Sequence, residues 1–217
     1  MRMLVLGAGL QGSACAYDLL QVKAVTQVTL ADQDPTHLPK FLAGDHAGRL
    51  QTLKLDVTDG VALRAAIHGH ESVMSALPYY LNALIARAAV EIGAHFCDLG
   101  GNTGIVLEQK KLNDAAIRQG VSVIPDCGLA PGMVNILAAE GIRRMDVAER
   151  VRIYVGGLPQ KPEPPLNYQI VYSLEGALDY YTTPSLILRG GKKVEVDALS
   201  ELEDVKFPKP VGTLEAF

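Results

Sequence analysis

Short apolar runs alternate with segments of helical periodicity over the first 130 residues, and this alternation restricts the fold more than any other feature. The predicted strands are Met3–Leu6, Val28–Ala31, Leu53–Val57, Ser72–Ala76, His95–Leu99 and Val121–Pro125. The predicted helices between them are Gly12–Leu20, Val61–Ile67, Leu81–Ile92 and Val106–Gln119. Such alternation is typical of a parallel sheet with helices on both faces, so we expect an α/β, doubly wound (Rossmann-type) domain over residues 1–130.

The pattern changes after about residue 130. A helix is predicted over Asn135–Arg144, and the segments after it alternate in the manner of half-buried strands: Val151–Val155, Tyr168–Tyr172, Leu186–Arg189 and Lys192–Val196. Gly190-Gly191 between the last two predicts a hairpin turn. We therefore expect residues 131–217 to form a second, α+β domain on an antiparallel sheet. We expect this domain to be C-terminally incomplete, because strand signals are few and no closing helix follows.

Composition excludes several classes of protein. The formal net charge is −4 without a strongly basic segment, which argues against a nucleic-acid partner or an anionic membrane. The three cysteines are far apart and form no CxxC, which excludes a zinc ribbon and indicates a reducing compartment. The apolar run after Met1 is short and interrupted by glycines, unlike a signal peptide, and no stretch is apolar enough to span a bilayer. We expect a soluble, cytoplasmic protein without a metal site.

The most informative motif is GxGxxG at Gly7-Ala8-Gly9-Leu10-Gln11-Gly12, because it follows a predicted strand and opens a predicted helix. Gly7 permits a tight turn, Gly9 lets the backbone approach a diphosphate at the helix N-terminus, and Gly12 allows close packing of helix and strand. Asp32 ends the second predicted strand and is expected to accept a ribose hydroxyl. Because a carboxylate repels a 2′-phosphate, we predict NAD rather than NADP.

Two further strand ends are expected to complete the cofactor site. Asp56 and Val57 end the third predicted strand, where they are placed to meet the adenine; Asp56 as a turn or capping residue is the alternative. Ala76, Leu77 and Pro78 end the fourth, near the point where strand order reverses in such sheets.

Residues able to move a proton also follow predicted strand ends. The catalytic candidates are Asp98, Asp126 and Cys127, and the substrate-binding candidates are Tyr79, Tyr80, Tyr172, Glu175 and Arg189. Five of them have a structural alternative: the two aspartates as turn or cap residues, the cysteine as a small buried hydrophobe, and Tyr79 and Tyr80 as packing residues.

Blocks along nearly the whole chain are similar to a known family: VLGAGLQG (5–12), LDVTD (55–59), SALPYY (75–80), CDLGGN (97–102), IPDCGLAPGMVN (124–135), VGGLPQKPEPPLNY (155–168) and FPKPVGTLEAF (207–217). The chain resembles the saccharopine dehydrogenase-like family, and most closely its lysine 6-dehydrogenase branch. The resemblance implies a Rossmann domain followed by a substrate and dimerisation domain, hence a homodimer. Relatives that form saccharopine carry Asp where this chain has Ala130 and Cys where it has Val155, which favours a simpler amine such as lysine.

The reaction implied by the resemblance is NAD-dependent oxidative deamination of the lysine side-chain amine. In it Asp98, Asp126 or a water that they hold serves as base, Glu175 or Asp179 attracts the substrate ammonium, and Arg189 pairs with the substrate carboxylate. The alternatives are a saccharopine or carboxynorspermidine dehydrogenase or reductase and, from another class, a truncated dinucleotide-binding remnant without catalysis.

Overall fold

The computed structural model describes residues 1–42, 44, 46–165, 167–169 and 174–217, without the side chains of Glu175 and Ala177. The chain divides into two compact units, 1–148 and 149–217. The domain boundary predicted at residues 130 and 131 stays a prediction.

The first unit is built on one parallel sheet. Its strands are β1 (Arg2–Leu6), β2 (Gln27–Asp32), β3 (Leu50–Lys54), β4 (Ser72–Ser75), β5 (His95–Asp98) and β6 (Val123–Ile124). Their order is β3-β2-β1-β4-β5-β6, so the direction of winding reverses between β1 and β4. This is the doubly wound α/β sheet predicted from the sequence, and ligands in such sheets bind at the carboxyl ends of the strands at that reversal.

Helices cover both faces of the sheet. They are α1 (Leu10–Gln21), α2 (Gly60–Ile67), α3 (Asn82–Ile92), α4 (Thr103–Lys110) and α5 (Asn113–Gln119), with α6 (Met133–Arg143) after the last strand and short 3₁₀ helices at Lys40–Leu42 and Tyr79–Leu81. Side chains alternate across β1: Leu4 and Leu6 pack in one core cluster with residues of α2 and α3, and Val5 packs in the other with residues of α1. The sheet is therefore buried on both faces, as parallel sheets require.

The second unit contains α7 (Leu174–Thr182) and four strands, β7 (Ser185–Arg189), β8 (Lys192–Val196), β9 (Glu203–Lys206) and β10 (Thr213–Ala216). β7 pairs antiparallel with β8, and β9 with β10. The hairpin predicted around Gly190-Gly191 is confirmed, and both glycines have positive φ.

Three predicted elements differ from the structure. The third strand lies at Leu50–Lys54 and not at Leu53–Val57, because the chain leaves the sheet after Leu55 donates its N–H to the Asp32 carbonyl. The helix predicted over Val106–Gln119 is two helices, α4 and α5. Val151–Val155 forms no strand in the described part of the chain; its alternating residues are exposed and lack a hydrogen-bonded neighbouring strand.

The predicted strand Tyr168–Tyr172 extends into residues outside those described, and α7, β9 and β10 were not predicted. Among the described residues, the helices are too short or too polar to cross a bilayer.

Candidate functional site

The glycine motif forms a turn in which β1 and α1 pack closely. A Cβ atom on Gly12 would lie 1.8 Å from the Gly7 carbonyl oxygen, and one on Gly7, whose φ is +97°, would lie 2.9 Å from the Ala76 carbonyl oxygen. Both positions therefore exclude a side chain. A Cβ atom on Gly9 would meet no atom within 4 Å, so the backbone there faces open space.

That open space lies at the N-terminus of α1. Gly9 is the N-cap of the helix and supplies no side-chain cap, so the N–H groups of the first turn, beginning at Leu10 and Gln11, are offered to an outside acceptor. The first turn also contains no acidic residue. Such a helix start fits a diphosphate, because it combines N–H donors with the positive end of the helix dipole.

Asp32, at the end of β2, holds the glycine turn in place. Its Oδ2 accepts the N–H of Ala8 at 2.7 Å, and its Oδ1 accepts the N–H of Asp34 at 3.0 Å. The residue remains partly exposed, so its carboxylate oxygens are still reachable by a sugar hydroxyl. Asp32 is therefore a part of the turn as well as a candidate ribose ligand.

A pocket of about 200 Å³ adjoins Asp32 at the carboxyl ends of β2, β3 and β4. It is lined by Ala31, Asp32, Gln33, Leu55, Asp56, Val57, Thr58, Leu77, Pro78, Tyr80 and Leu81. Five of the residues predicted to bind the cofactor therefore meet in one place, and Ala76 lies beside Gly7 and Gly12. Tyr80, predicted to bind substrate, lines this pocket instead. Five lining residues were missed, although each lies in a predicted strand or within a few residues of its end: Ala31, Gln33, Leu55, Thr58 and Leu81.

Asp56 is occupied by its own turn. Its Oδ1 accepts the N–H of Thr58 at 2.9 Å and the Thr58 hydroxyl at 2.7 Å. The hydroxyl bond is the main reason why the pKa of Asp56 is lowered, so the side chain carries a negative charge at the mouth of the pocket. The turn alternative considered from the sequence therefore describes the contacts of this side chain.

Asp98, at the end of β5, is fully buried and ties together the loops that follow β5 and β6. Its Oδ1 accepts the N–H groups of Gly100 at 2.7 Å and Asp126 at 3.2 Å, and its Oδ2 accepts from Gln109 Nε2 at 2.6 Å. Its carbonyl oxygen accepts the N–H of Cys127 at 2.7 Å. With both oxygens engaged and no exposed surface, Asp98 has the geometry of a positioning residue and not that of a base that touches substrate.

Asp126 differs from Asp98 in having an unused oxygen. Among the described residues, its buried Oδ1 has no hydrogen-bond partner, while the Gly101 backbone donates to the carboxylate. Burial raises the pKa of Asp126, and the negative charge of Asp98 raises it further. Its φ of +58° is rare outside glycine. A half-buried carboxyl group with a raised pKa suits proton transfer, although its unpartnered Oδ1 is buried against the turn at Gly100.

Tyr79 lies next to the same loop. A Cβ atom on Gly101, whose φ is +125°, would lie 3.1 Å from the Tyr79 Cβ atom, so the tyrosine packs directly on this glycine. The Tyr79 and Tyr80 rings meet edge to face, with centroids 5.9 Å apart. Tyr79 is thus close to the turn that Asp126 contacts, as a substrate-binding role requires.

The cysteines lack the features of nucleophiles. Burial raises the pKa of Cys97 to about 12, and burial together with Asp98 and Asp126 also raises the pKa of Cys127. The exposed Cys127 thiol donates to the Ile124 carbonyl oxygen at 3.3 Å. Both cysteines are therefore neutral thiols near pH 7, which does not fit the catalytic role proposed for Cys127 from its position.

Two of the substrate ligands predicted in the second unit lie outside what the structure describes. They are Tyr172 and the side chain of Glu175. Arg189 donates to Glu201 Oε1 at 2.5 Å on the surface, so a substrate carboxylate would have to compete with this pair. Asp179, in the last turn of α7, accepts a hydrogen bond from the hydroxyl of Thr183, the residue that follows the helix.

A doubly wound sheet with this turn, this helix start and this pocket defines a dinucleotide-binding domain. Residues 3–124 match the family model described as saccharopine dehydrogenase NADP binding domain, and residues 128–217 match the saccharopine dehydrogenase C-terminal domain. The chain belongs to the saccharopine dehydrogenase family.

Named relatives agree with this membership. The chain is 26% identical over 210 residues to saccharopine dehydrogenase [NADP(+), L-glutamate-forming] of Schizosaccharomyces pombe, covering 94% of this chain and 45% of the relative. It is 31% identical over 140 residues to the mitochondrial alpha-aminoadipic semialdehyde synthase of Rattus norvegicus, covering 62% of this chain and 15% of that one. The chain therefore spans less than half the length of these relatives.

The fold has a solved counterpart. Apo saccharopine dehydrogenase (L-Glu forming) from Saccharomyces cerevisiae superposes with a TM-score of 0.71 over 99% of this chain and 48% of the other, at 20% sequence identity. At this identity the likeness concerns the fold.

Proposed function

We propose that this chain is the dinucleotide-binding and proton-transferring part of an amino-acid oxidoreductase that acts on a C–N bond, with the side-chain amine of lysine as its substrate. The observation that carries the proposal is the joint geometry of the glycine turn, Asp32 and the adjoining pocket of about 200 Å³. Family membership supports oxidoreductase chemistry on lysine-related compounds.

Each part of the site has a task in this reaction. The first turn of α1 binds the diphosphate, Asp32 accepts the ribose hydroxyls, and the pocket takes the adenine. A nicotinamide cofactor held there would supply the acceptor for hydride from the substrate carbon next to nitrogen. Asp126 removes a proton from the substrate ammonium, because only the free amine has the lone pair that assists loss of hydride. Water then hydrolyses the resulting iminium to an aldehyde and ammonium.

The cofactor that we propose is NAD, and the reason is Asp32. A 2′-phosphate placed where this carboxylate meets the ribose would face a negative charge, and the next residues are Gln33 and Asp34, without a cation. The family model and the relative from Schizosaccharomyces pombe carry NADP in their names, which points the other way. Titration calorimetry with NADH and NADPH decides between them: we expect tighter binding of NADH, and tighter binding of NADPH would overturn the preference.

A second substrate is favoured by a specific observation. The alignment with the glutamate-forming saccharopine dehydrogenase covers 94% of this chain, which supports saccharopine, while Ala130 and Val155 support the simpler amine. Absorbance at 340 nm with lysine, saccharopine or carboxynorspermidine distinguishes these. We expect the cofactor to be reduced in the presence of lysine. Reduction with saccharopine alone would make saccharopine the substrate in place of lysine. Nucleotide binding without turnover of any of the three compounds would leave only the binding function.

The expected homodimer is part of this proposal. Light scattering on the purified chain should give twice the monomer mass, and a monomer at micromolar concentration would remove dimerisation from the proposal.

A further inference from the structure

Gln109 on α4 is a buried amide that the sequence did not single out. Its side chain is 2% exposed, and its Nε2 donates to Asp98 Oδ2 at 2.6 Å. The bond to Asp98 satisfies the Nε2 end of this buried amide, while its Oε1 has no hydrogen-bond partner among the described residues, so the contact that Gln109 makes with its amide is the donor to Asp98. Asp98 in turn has no exposed surface, and Gln109 is the one side-chain donor among the described residues that reaches its carboxylate.

The other oxygen of Asp98 connects Gln109 to Asp126. Asp98 Oδ1 accepts the backbone N–H of Asp126 at 3.2 Å and that of Gly100 at 2.7 Å. The two loops after β5 and β6 therefore share one carboxylate, which Gln109 holds from the opposite side.

The side chain of Asp126 is directed onto the turn at Gly100 and Gly101. A Cβ atom on Gly100 would lie 2.0 Å from Asp126 Oδ1, so the carboxyl group occupies the space that a side chain at Gly100 would need. The titratable groups that act on Asp126 or respond to it are Asp98 and Cys127, and Cys127 is a neutral thiol. Asp98 is therefore the charged neighbour that matters for its titration.

We propose that Gln109 is a positioning residue: it fixes the Asp98 carboxylate, which sets both the backbone of Asp126 and the negative charge beside the Asp126 carboxyl group. This inference rests on the proposed function of Asp126 as a base. Without the Gln109 donor, the buried charge of Asp98 loses a partner and the two loops loosen. Looser loops let water reach the Asp126 carboxyl group, and better hydration favours its ionised form.

The test is a ¹³C NMR titration of the full 217-residue chain labelled at aspartate Cγ, with Asp126→Asn used for assignment. Gln109→Met removes the donor and keeps the length of the side chain, and Gln119→Met makes the same exchange on the exposed surface of α5. We expect the pKa of Asp126 to fall towards that of an ordinary aspartate in Gln109→Met and to stay unchanged in Gln119→Met. An unchanged pKa in folded Gln109→Met would overturn the proposal.

The wild-type chain provides a second readout in case Gln109→Met does not fold. The side-chain NH₂ resonances of Gln109 should shift with pH at the midpoint of the Asp126 titration, and this shift should disappear in Asp126→Asn. Resonances of Gln109 that do not respond in the wild type would overturn the inference.

Turnover separates this inference from the proposed function. If Asp126→Asn turns over as the wild type does, Asp126 is not the base, and Gln109 has no part in catalysis. If Asp126→Asn is inactive while the titration of Asp126 is independent of Gln109, the proposed function stands and the positioning role is refuted.

Discussion

Gly9 and Gly12 lie three residues apart in one motif, yet the structure gives them different tasks that substitution can separate. Gly9 has φ −70° and ψ −170°, a conformation open to any residue, and a Cβ atom there meets nothing within 4 Å. Gly12 would place its Cβ atom 1.8 Å from the Gly7 carbonyl oxygen. Gly9→Ala should therefore harm binding and spare the fold, whereas Gly12→Ala should harm the fold itself.

The expected magnitudes follow from this geometry. In Gly9→Ala, the poorer N-cap and the lower entropy of the unfolded chain oppose each other, so the free energy of unfolding should change by less than about 1 kcal/mol. The new methyl group occupies the approach to the helix N-terminus, and dinucleotide affinity should fall about tenfold or more, roughly 1.4 kcal/mol. In Gly12→Ala, the overlap with Gly7 must be relieved by movement of the turn, at a cost of about 1–3 kcal/mol.

The matched control is Gly141→Ala within α6, where a Cβ atom also meets nothing within 4 Å. It should raise stability by about 0.5–1 kcal/mol and leave dinucleotide binding unchanged. Urea denaturation measures stability, and titration calorimetry with NADH measures affinity. Wild-type affinity in Gly9→Ala would refute the placement of the diphosphate, and wild-type stability in Gly12→Ala would refute the close packing of the turn.

Three further predictions concern stability and titration. Asp59→Ala removes the acceptor of the Val61 and Ala62 N–H groups at the start of α2. Urea denaturation should therefore show that the free energy of unfolding falls by about 1 kcal/mol, with unchanged NADH affinity. Asp59→Asn, which keeps a side-chain acceptor, should retain most of the wild-type stability. The pKa of Asp126 is raised in the folded chain, so the stability that its carboxyl group contributes is present below the unfolded pKa and is lost as pH rises through the folded pKa. The stability of Asp126→Asn relative to wild type should therefore rise with pH between these two pKa values. A stability difference that does not change with pH would contradict the raised pKa. Cys97, with a pKa of about 12, should resist iodoacetamide at pH 8 under conditions that modify the exposed Cys127, as read by peptide mass spectrometry, and equal rates would contradict its burial.

Much of the first unit follows from local pattern. The strands β1, β2, β4 and β5 are short apolar runs with clear stops, and the parallel direction of the sheet follows from alternation with helices. The register of β3 does not follow from local pattern, because Leu55 and Val57 are as apolar as strand residues but are buried in a loop. Val151–Val155 shows the converse: alternation predicts a strand, but a strand also needs a neighbour for its backbone hydrogen bonds.

The residues that we propose to hold the cofactor could be named from the sequence, because they lie at strand ends and in the glycine turn. The network around Asp98 was not, because Gln109 is eleven residues away on a helix of weak amphipathic pattern, and only the fold brings its amide to the carboxylate. From the sequence alone, Asp98 and Asp126 were equivalent candidates for the catalytic base. Burial and hydrogen bonding distinguish them, since one carboxylate has both oxygens engaged and the other has an oxygen without a described partner.

Asp32 and Asp98 have the same structural role at two places on the carboxyl edge of the sheet. Each carboxylate ends a strand and accepts an N–H from the loop after a neighbouring strand: Asp32 from Ala8, and Asp98 from Asp126. A carboxylate at such a position fixes a loop before it binds anything, because it satisfies a backbone donor that a tight turn would otherwise leave unpaired. If Asp32 binds the ribose as we propose, loss of cofactor affinity on its substitution combines a lost ribose contact with a loosened glycine turn. The difference between NADH and NADPH affinity reports on the ribose contact alone, because only the 2′-phosphate group distinguishes the two ligands.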